Sequence, residues 1–324
     1  MPDVARLLRT RYFMFALLLA VLLLVANVIA EPHFGKPSNW PSELAALAPF
    51  ALVAMASTPS IVSGGGGLDI SVGPLVVLVN VVLTISLLAG GQGSVWVDLP
   101  ILLALGAAVG AINGTLVAVF RYQPVIATLC MFFVLSGISL KVGATPKAAV
   151  AGNWTADLGD KVFGFLPGAL VLLAIPVVIW FVLSRTSFHR NLYAVGGNDA
   201  TAYSAGVNVT AVRIVAYAIG GLFAAVGGIA LTALVQTSQA GSSAQYTLIA
   251  LAAVALGGTP LGGGRGGLLG SALGASCIYL MQTLLSALNV PQTWLQVVYG
   301  GLLIIGVVVG ARISSTRPAK VATA

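Results

Sequence analysis

The sequence predicts an all-α polytopic membrane protein with about ten transmembrane helices and both termini in the cytoplasm. Three observations carry that prediction. Hydrophobic residues make up 58% of the chain and Asp, Glu, Lys and Arg only 7%, whereas a soluble domain needs about a quarter of its residues charged. The few charges fall in short clusters between apolar stretches of span length, about 20 residues. The basic residues are also shared unequally between alternate gaps, as the positive-inside rule requires. The apolar runs are long and do not alternate with period two, which selects helices over a barrel.

Taken in order, the expected spans are Tyr12–Ile29, Leu44–Val62, Ile70–Leu88, Leu99–Phe120, Val125–Val142, Leu166–Leu183, Val212–Val235, Thr247–Leu261, Gly267–Leu288 and Trp294–Ala311. The first follows Arg6, Arg9 and Arg11 and ends at Val28-Ile29-Ala30, which resembles a signal-peptidase site. Its apolar run is long for a signal sequence, so it is read as an uncleaved span. With the N-terminus inside, Arg6, Arg9, Arg11, Arg121, Arg185, Arg190, Arg213, Arg265, Arg312, Arg317 and Lys320 are cytoplasmic. Lys36, Lys141, Lys147 and Lys161 lie outside, so every arginine is internal. One span more or fewer would exchange sides for every later charge. The net charge of +7 is therefore a topology signal. The basic residues form no patch for nucleic acid.

No soluble domain fits between the spans, so residues 1–324 form a single transmembrane domain. The longest cytoplasmic connection is 185–213, and the longest external one runs from about Gly143 to Phe165. Cys130 and Cys277 both fall inside spans and read as small core hydrophobes. Gly106, Gly110 and Gly114 form one row at helical spacing. Gly266, Gly270 and Gly274 form a second, and Gly306 and Gly310 a third. Such rows let helices approach closely in lipid. The Gly-interrupted segments 64–73 and 257–267 do not occupy equivalent places in two halves, so no internal repeat is assigned.

The segment Ser63-Gly64-Gly65-Gly66-Gly67-Leu68-Asp69-Ile70-Ser71-Val72-Gly73-Pro74 frees the backbone from helical geometry just before a new span. Two readings stand: a broken helix facing a pathway, or a tight turn at the inner interface. Asp69 suits the start of a helix as a cap, with a solute ligand as the alternative. The spans otherwise hold neutral polar groups: Asn80, Thr84, Asn113, Thr115, Gln123, Thr128, Ser136, Ser139, Thr232, Gln236, Gln282 and Thr283. Most are expected to hydrogen-bond neighbouring helices. The pathway candidates are Asp69, Ser71, Asn113, Gln123, Thr128 and Gln282. Ion-coupled carriers use intramembrane acids or His–Arg partners, and the spans supply almost none. A neutral polar solute fits this inventory.

In the cytoplasmic connection, Asn198 is a good N-cap, Asp199 suits a first turn, and Gly206 is a C-terminal stop. The spacing predicts a two-turn helix over about 199–205. Alone it is marginal, which suits either contact with another protein or a solvated loop. Catalytic signatures such as His-Glu-x-x-His, Gly-x-Ser-x-Gly or a metal-spaced Cys pair do not occur. The stretch Gly257-Gly258-Thr259-Pro260-Leu261-Gly262-Gly263-Gly264-Arg265 lacks the Gly-Lys-Ser/Thr ending of a phosphate-binding loop. An intramembrane enzyme is thereby disfavoured.

Three segments together resemble a family. Gly66-Gly67-Leu68-Asp69-Ile70-Ser71-Val72-Gly73 is similar to the GG-I/L-D-L-S-V-G signature of ribose-type ABC transporter permeases. Tyr193-Ala194-Val195-Gly196-Gly197-Asn198, continued by Ala205-Gly206-Val207-Asn208, resembles the cytoplasmic loop of that family. Gly257-Gly258-Thr259 with Gly262-Gly263-Gly264-Arg265-Gly266 resembles its G-G-T-x-x-x-G-G-x-G stretch. The resemblance runs from Ala48 to Val308 and implies the permease subunit of an ABC importer for a sugar or similar small polar solute. It further implies a second permease copy or paralogue, a separate ATP-binding cassette subunit that holds ATP and Mg, and a periplasmic sugar-binding protein. The setting it implies is a bacterial inner membrane. This chain would then need no cofactor, and Gly196, Gly197, Asn198, Asp199, Ala202 and Gly206 would couple it to the ATPase. One departure stands out: Thr247 occupies the place where members often carry a glutamate. The competing reading is a self-sufficient facilitator or secondary carrier.

Overall fold

The computed structural model describes residues 3–88, 93–150, 152–162 and 164–291, with isolated positions between 294 and 304. The helices are α1 (Asp3–Ala30), α2 (Trp40–Val62), α3 (Val72–Val82), α4 (Val95–Ala118), α5 (Pro124–Val142), α6 (Trp154–Gly159), α7 (Gly168–Ser184), α8 (Ser187–Gly197), α9 (Asp199–Ser204), α10 (Val209–Val235), α11 (Ser243–Leu256) and α12 (Leu268–Ala287). A wider turn, Leu83–Leu88, prolongs α3. The only strands among the described residues are β1 (Lys161–Val162) and β2 (Leu166–Pro167), a minimal antiparallel pair. The architecture is otherwise all-α, as expected.

Each expected span on described residues coincides with a helix: α1, α2, α3, α4, α5, α7, α10, α11 and α12 in turn. The tenth, Trp294–Ala311, lies outside the described residues but for those isolated positions, and the Gly306–Gly310 row lies wholly outside them. By length and apolar composition, five of these helices can cross a membrane unaided, and a sixth if α7 and α8 count as one bent span. The bend there is 88°. α3 and α11 are shorter. α3 begins late because the glycine segment before it is not helical, and α11 begins at Ser243 and ends by Leu256.

The core forms around α2, which is buried along almost its whole length. It packs on α10, α11, α12 and α7. An apolar helix without a polar stripe must be enclosed by other helices or by lipid, and α2 takes the first course. α4 and α5 keep more of their surface outward. The glycine rows explain two close seams. On α4, a Cβ at Gly106, Gly110 or Gly114 would collide with Gly221, Tyr217 or Ile214 of α10. On α12, a Cβ at Gly270 or Gly274 would collide with backbone of Gly257 or Ala253. These small residues serve close backbone approach.

Cys277 meets the expectation of a core residue, and Cys130 does not. Cys277 is buried and its thiol donates to the carbonyl of Ala16 (3.3 Å). Cys130 is exposed on α5, which has neighbours on one side only.

Several of the neutral polar side chains tie elements together, while Thr115 and Ser139 bond only within their own helices. Asn27 donates to Leu280 O (2.8 Å), and Thr283 donates to Asn27, which fixes α1 on α12. Asn80 is fully buried; its amide donates to Thr232 (2.9 Å) and to Thr237 O (3.1 Å) and accepts from Gln239 N (2.8 Å). It thereby clamps α3 to the end of α10 and the turn beyond. Replacing Asn80 with leucine strands a backbone donor and acceptor, at a cost of about 2–3 kcal/mol. A thermal melt of the purified protein should show that loss, whereas Ser139, which bonds only within its own helix, should be replaceable by alanine with little change.

Candidate functional site: a polar cluster beneath a glycine crossing

Residues Ser63–Ser71 join α2 to α3 without helical structure. Gly64, Gly65 and Gly66 all have positive φ (74°, 64° and 72°), a conformation that residues with a Cβ rarely adopt. Gly65 and Gly66 form an exposed tip, while Ser63, Gly64, Gly67 and Asp69 are buried. This is a long connection embedded in the protein. It is non-helical, as both readings from sequence require, and the choice between a broken helix facing a pathway and a tight turn at the interface stays open. Its inner part carries a polar cluster. One oxygen of Asp69, Oδ1, accepts from the Ser71 amide (2.9 Å) and the Ser71 hydroxyl (2.6 Å). Asn113 of α4 donates to the Ser71 hydroxyl (2.7 Å). Thr128 of α5 accepts from the Ile70 amide (3.2 Å) and lies 3.3 Å from Leu68 O.

The structure thus brings together Asp69, Ser71, Asn113 and Thr128. It does not bring Gln123 or Gln282 to them. Gln123 is exposed at the N-terminal boundary of α5. Gln282 lies half-buried towards the end of α12, next to the residue that bonds Asn27. Two further residues complete the cluster. Thr247 of α11 donates to Ile70 O (3.0 Å), and its hydroxyl occupies the space a Cβ on Gly73 would need. Tyr217 of α10 is fully buried beside Val117 and Ala127, with its hydroxyl unpaired. Asn113 Oδ1 is also buried without a partner. Tyr217 was legible only as the residue one turn beyond Arg213 on the same helical face.

On the other side of the segment, the three motifs picked out in the sequence converge. Gly64 lies against Gly196 and Gly263, where added Cβ atoms would overlap backbone. The Gly264 amide donates to Val62 O (3.0 Å), and Tyr193 donates to Gly266 O (2.8 Å). Segments 64–73 and 257–267, non-equivalent along the chain, are neighbours in space.

α8 and α9 project from this crossing. The two-turn helix forms as the spacing predicted. Asn198 caps it through Thr201 N (3.0 Å), and Gly206 ends it at φ 83°. Ala202 is buried with Val62, Leu192, Val195 and Val212, which seats α9 on the bundle. Gly197, Asn198, Asp199 and Gly206 stay exposed, and so does the large side chain of Tyr203, at 74%. Removing the cap with Asn198→Ala costs about 1 kcal/mol. Hydrogen exchange at the Thr201 amide should then accelerate about fivefold, with α10 unaffected.

An all-α, multi-pass membrane protein with a buried polar cluster and a short projecting helix has the build of a permease. The comparisons with known proteins identify which kind. A family described as the branched-chain amino acid transport system / permease component matches residues 42–307. The ribose import permease protein RbsC of Escherichia coli (strain K12) is 33% identical over 304 residues, 90% of this chain and 92% of that protein. RbsC of Bacillus subtilis (strain 168) is 32% identical over 309 residues, 92% of each. The autoinducer 2 import system permease protein LsrD of Yersinia enterocolitica is 31% identical over 273 residues, 82% of this chain and 81% of that protein. No solved structure matches. The chain belongs to this permease family and is a ribose-type ABC transporter permease.

Proposed function

We propose that this chain is the membrane-spanning half of an importer that moves a sugar or a similarly hydroxylated neutral solute into the cytoplasm by alternating access. A separate ATP-binding cassette subunit supplies the energy and docks on α8–α9. An extracytoplasmic binding protein delivers the solute, and a second permease copy or paralogue completes the pathway. Ten spans with both termini inside satisfy the distribution of arginines.

The single observation that carries this reading is the joining of the projecting helix to the buried polar cluster through one glycine crossing. Motion at the helix and opening at the cluster can then be one event. The cluster is neutral apart from Asp69, which suits hydroxyl groups better than ions. The relatives named for ribose, autoinducer 2 and fructose support a small polar solute. Asp69, Ser71, Asn113 and Thr128 are the proposed pathway residues, with Gln123 and Gln282 as more remote ones. Gly196, Gly197, Asn198, Asp199, Ala202 and Gly206 form the proposed coupling surface, and exposed Tyr203 extends it as an aromatic anchor.

The test is purification of the tagged chain from its native membrane, with mass spectrometry, ATPase assay and uptake of radiolabelled ribose and fructose in liposomes. Co-purification of an ATPase, with activity lost on replacing Asn198 and Asp199, is the expected result. Solute uptake by the chain alone would establish a facilitator instead.

A further inference from the structure

We infer that Arg213 is the positioning residue that ties α9 to the glycine tip, so that displacement of α9 is passed to the segment carrying Asp69. The inference rests on the coupling role proposed for α9. Arg213 stands in the first turns of α10, between the two elements. One end of its guanidinium donates to Asp199 Oδ2 of α9 (3.0 Å). The same nitrogen, Nη2, lies against Gly65, in the space that a Cβ there would fill. Its Nε is buried without a partner. One turn further along α10 stands Tyr217, fully buried with its hydroxyl unpaired.

The energetics argue against a purely stabilising role. The Asp199 side chain is 54% exposed, and a pair with a solvated carboxylate contributes little to stability. The Arg213 side chain, by contrast, is only 16% exposed, and its guanidinium is held against the tip. A residue half committed to a surface helix and half packed against a glycine loop transmits position. The positive φ of Gly64, Gly65 and Gly66 makes the tip a place where the backbone can change course without side-chain hindrance.

Hydrogen exchange of the complete transporter, nucleotide-free and with ATP plus vanadate, tests this without knowing the solute. In the unaltered protein, amides of 187–205 and of 64–70 should both change their exchange on nucleotide trapping. In Arg213→Gln, the change at 187–205 should persist while that at 64–70 shrinks at least about fivefold. The reversal Asp199→Arg with Arg213→Asp restores the ion pair, yet an aspartate is too short to lie under Gly65. It should behave like Arg213→Gln, and melting curves of both variants report whether the fold is kept. Should Arg213→Gln not fold, the reversal carries the test. A reversal variant with a normal response at 64–70 overturns the inference, since the pair alone would then suffice. So does an unaltered transporter in which 187–205 responds and 64–70 does not. Absence of a nucleotide response at 187–205 in the unaltered transporter overturns the coupling role of α9 itself.

Discussion

Gly196→Ala is expected to destroy the glycine crossing, while Gly197→Ala next to it is expected to be silent in stability. Gly196 is helical, so its backbone imposes no strain on alanine. The obstacle is steric: a Cβ would overlap Val62 O and press on the backbone of Gly264. Overpacking of a close contact costs about 1–3 kcal/mol, and pushing Val62 O aside breaks the bond from Gly264 N, worth about another 1 kcal/mol. A loss of about 3 kcal/mol is a large share of the 5–15 kcal/mol that holds a typical domain. At Gly197 no atom lies within 4 Å of the added carbon, and the change should stay within about 0.5 kcal/mol. Thermal melts of the two purified variants give the comparison. Equal melting temperatures would mean that the crossing is looser than described.

The second large effect is at Asp69. In Asp69→Ala, the Ser71 amide and hydroxyl lose their acceptor in a buried place. An unsatisfied buried group costs about 1–3 kcal/mol, so the variant should lose about 3 kcal/mol, and uptake with it. Asp69→Asn keeps an oxygen where Oδ1 stands. It should cost about 1 kcal/mol and leave uptake within about threefold of the unaltered transporter. The contrast separates the two roles left open by the sequence. An asparagine variant that melts normally yet loses uptake more than about tenfold would assign the charge to the solute path.

Much of this was legible in the sequence, because lipid restricts the options. An apolar run of span length between charged clusters can only be a helix, and all the expected spans on described residues are. The capped two-turn helix was legible for the same kind of reason: Asn198 and Gly206 each have one efficient use at a helix end. What the sequence could not show is which faces meet. Asn113 and Thr128 read as two polar residues among a dozen, and only packing brings them to the Asp69 segment while leaving Gln123 at the surface. Thr247 read as a departure at one end of a span. In the fold it holds Ile70 O and leaves no room beside Gly73, so its hydroxyl has a structural use that no local pattern announces. Arg213 was legible as a topology marker, and its contact with Gly65 depends on residues 148 positions earlier in the chain.

The glycine crossing also sets an order of events during synthesis. Gly64 is made early, and its partners Gly196 and Gly263 follow 132 and 199 residues later. At about 5–20 residues per second, the Val62 carbonyl waits about 10–40 s for the Gly264 amide. Through that interval the region around Asp69 has no finished seat, whatever helices already stand in the bilayer. The joint that links the helices in the mature protein is therefore among the last pieces of the nascent chain to close, and a ribosome that stops early leaves it open.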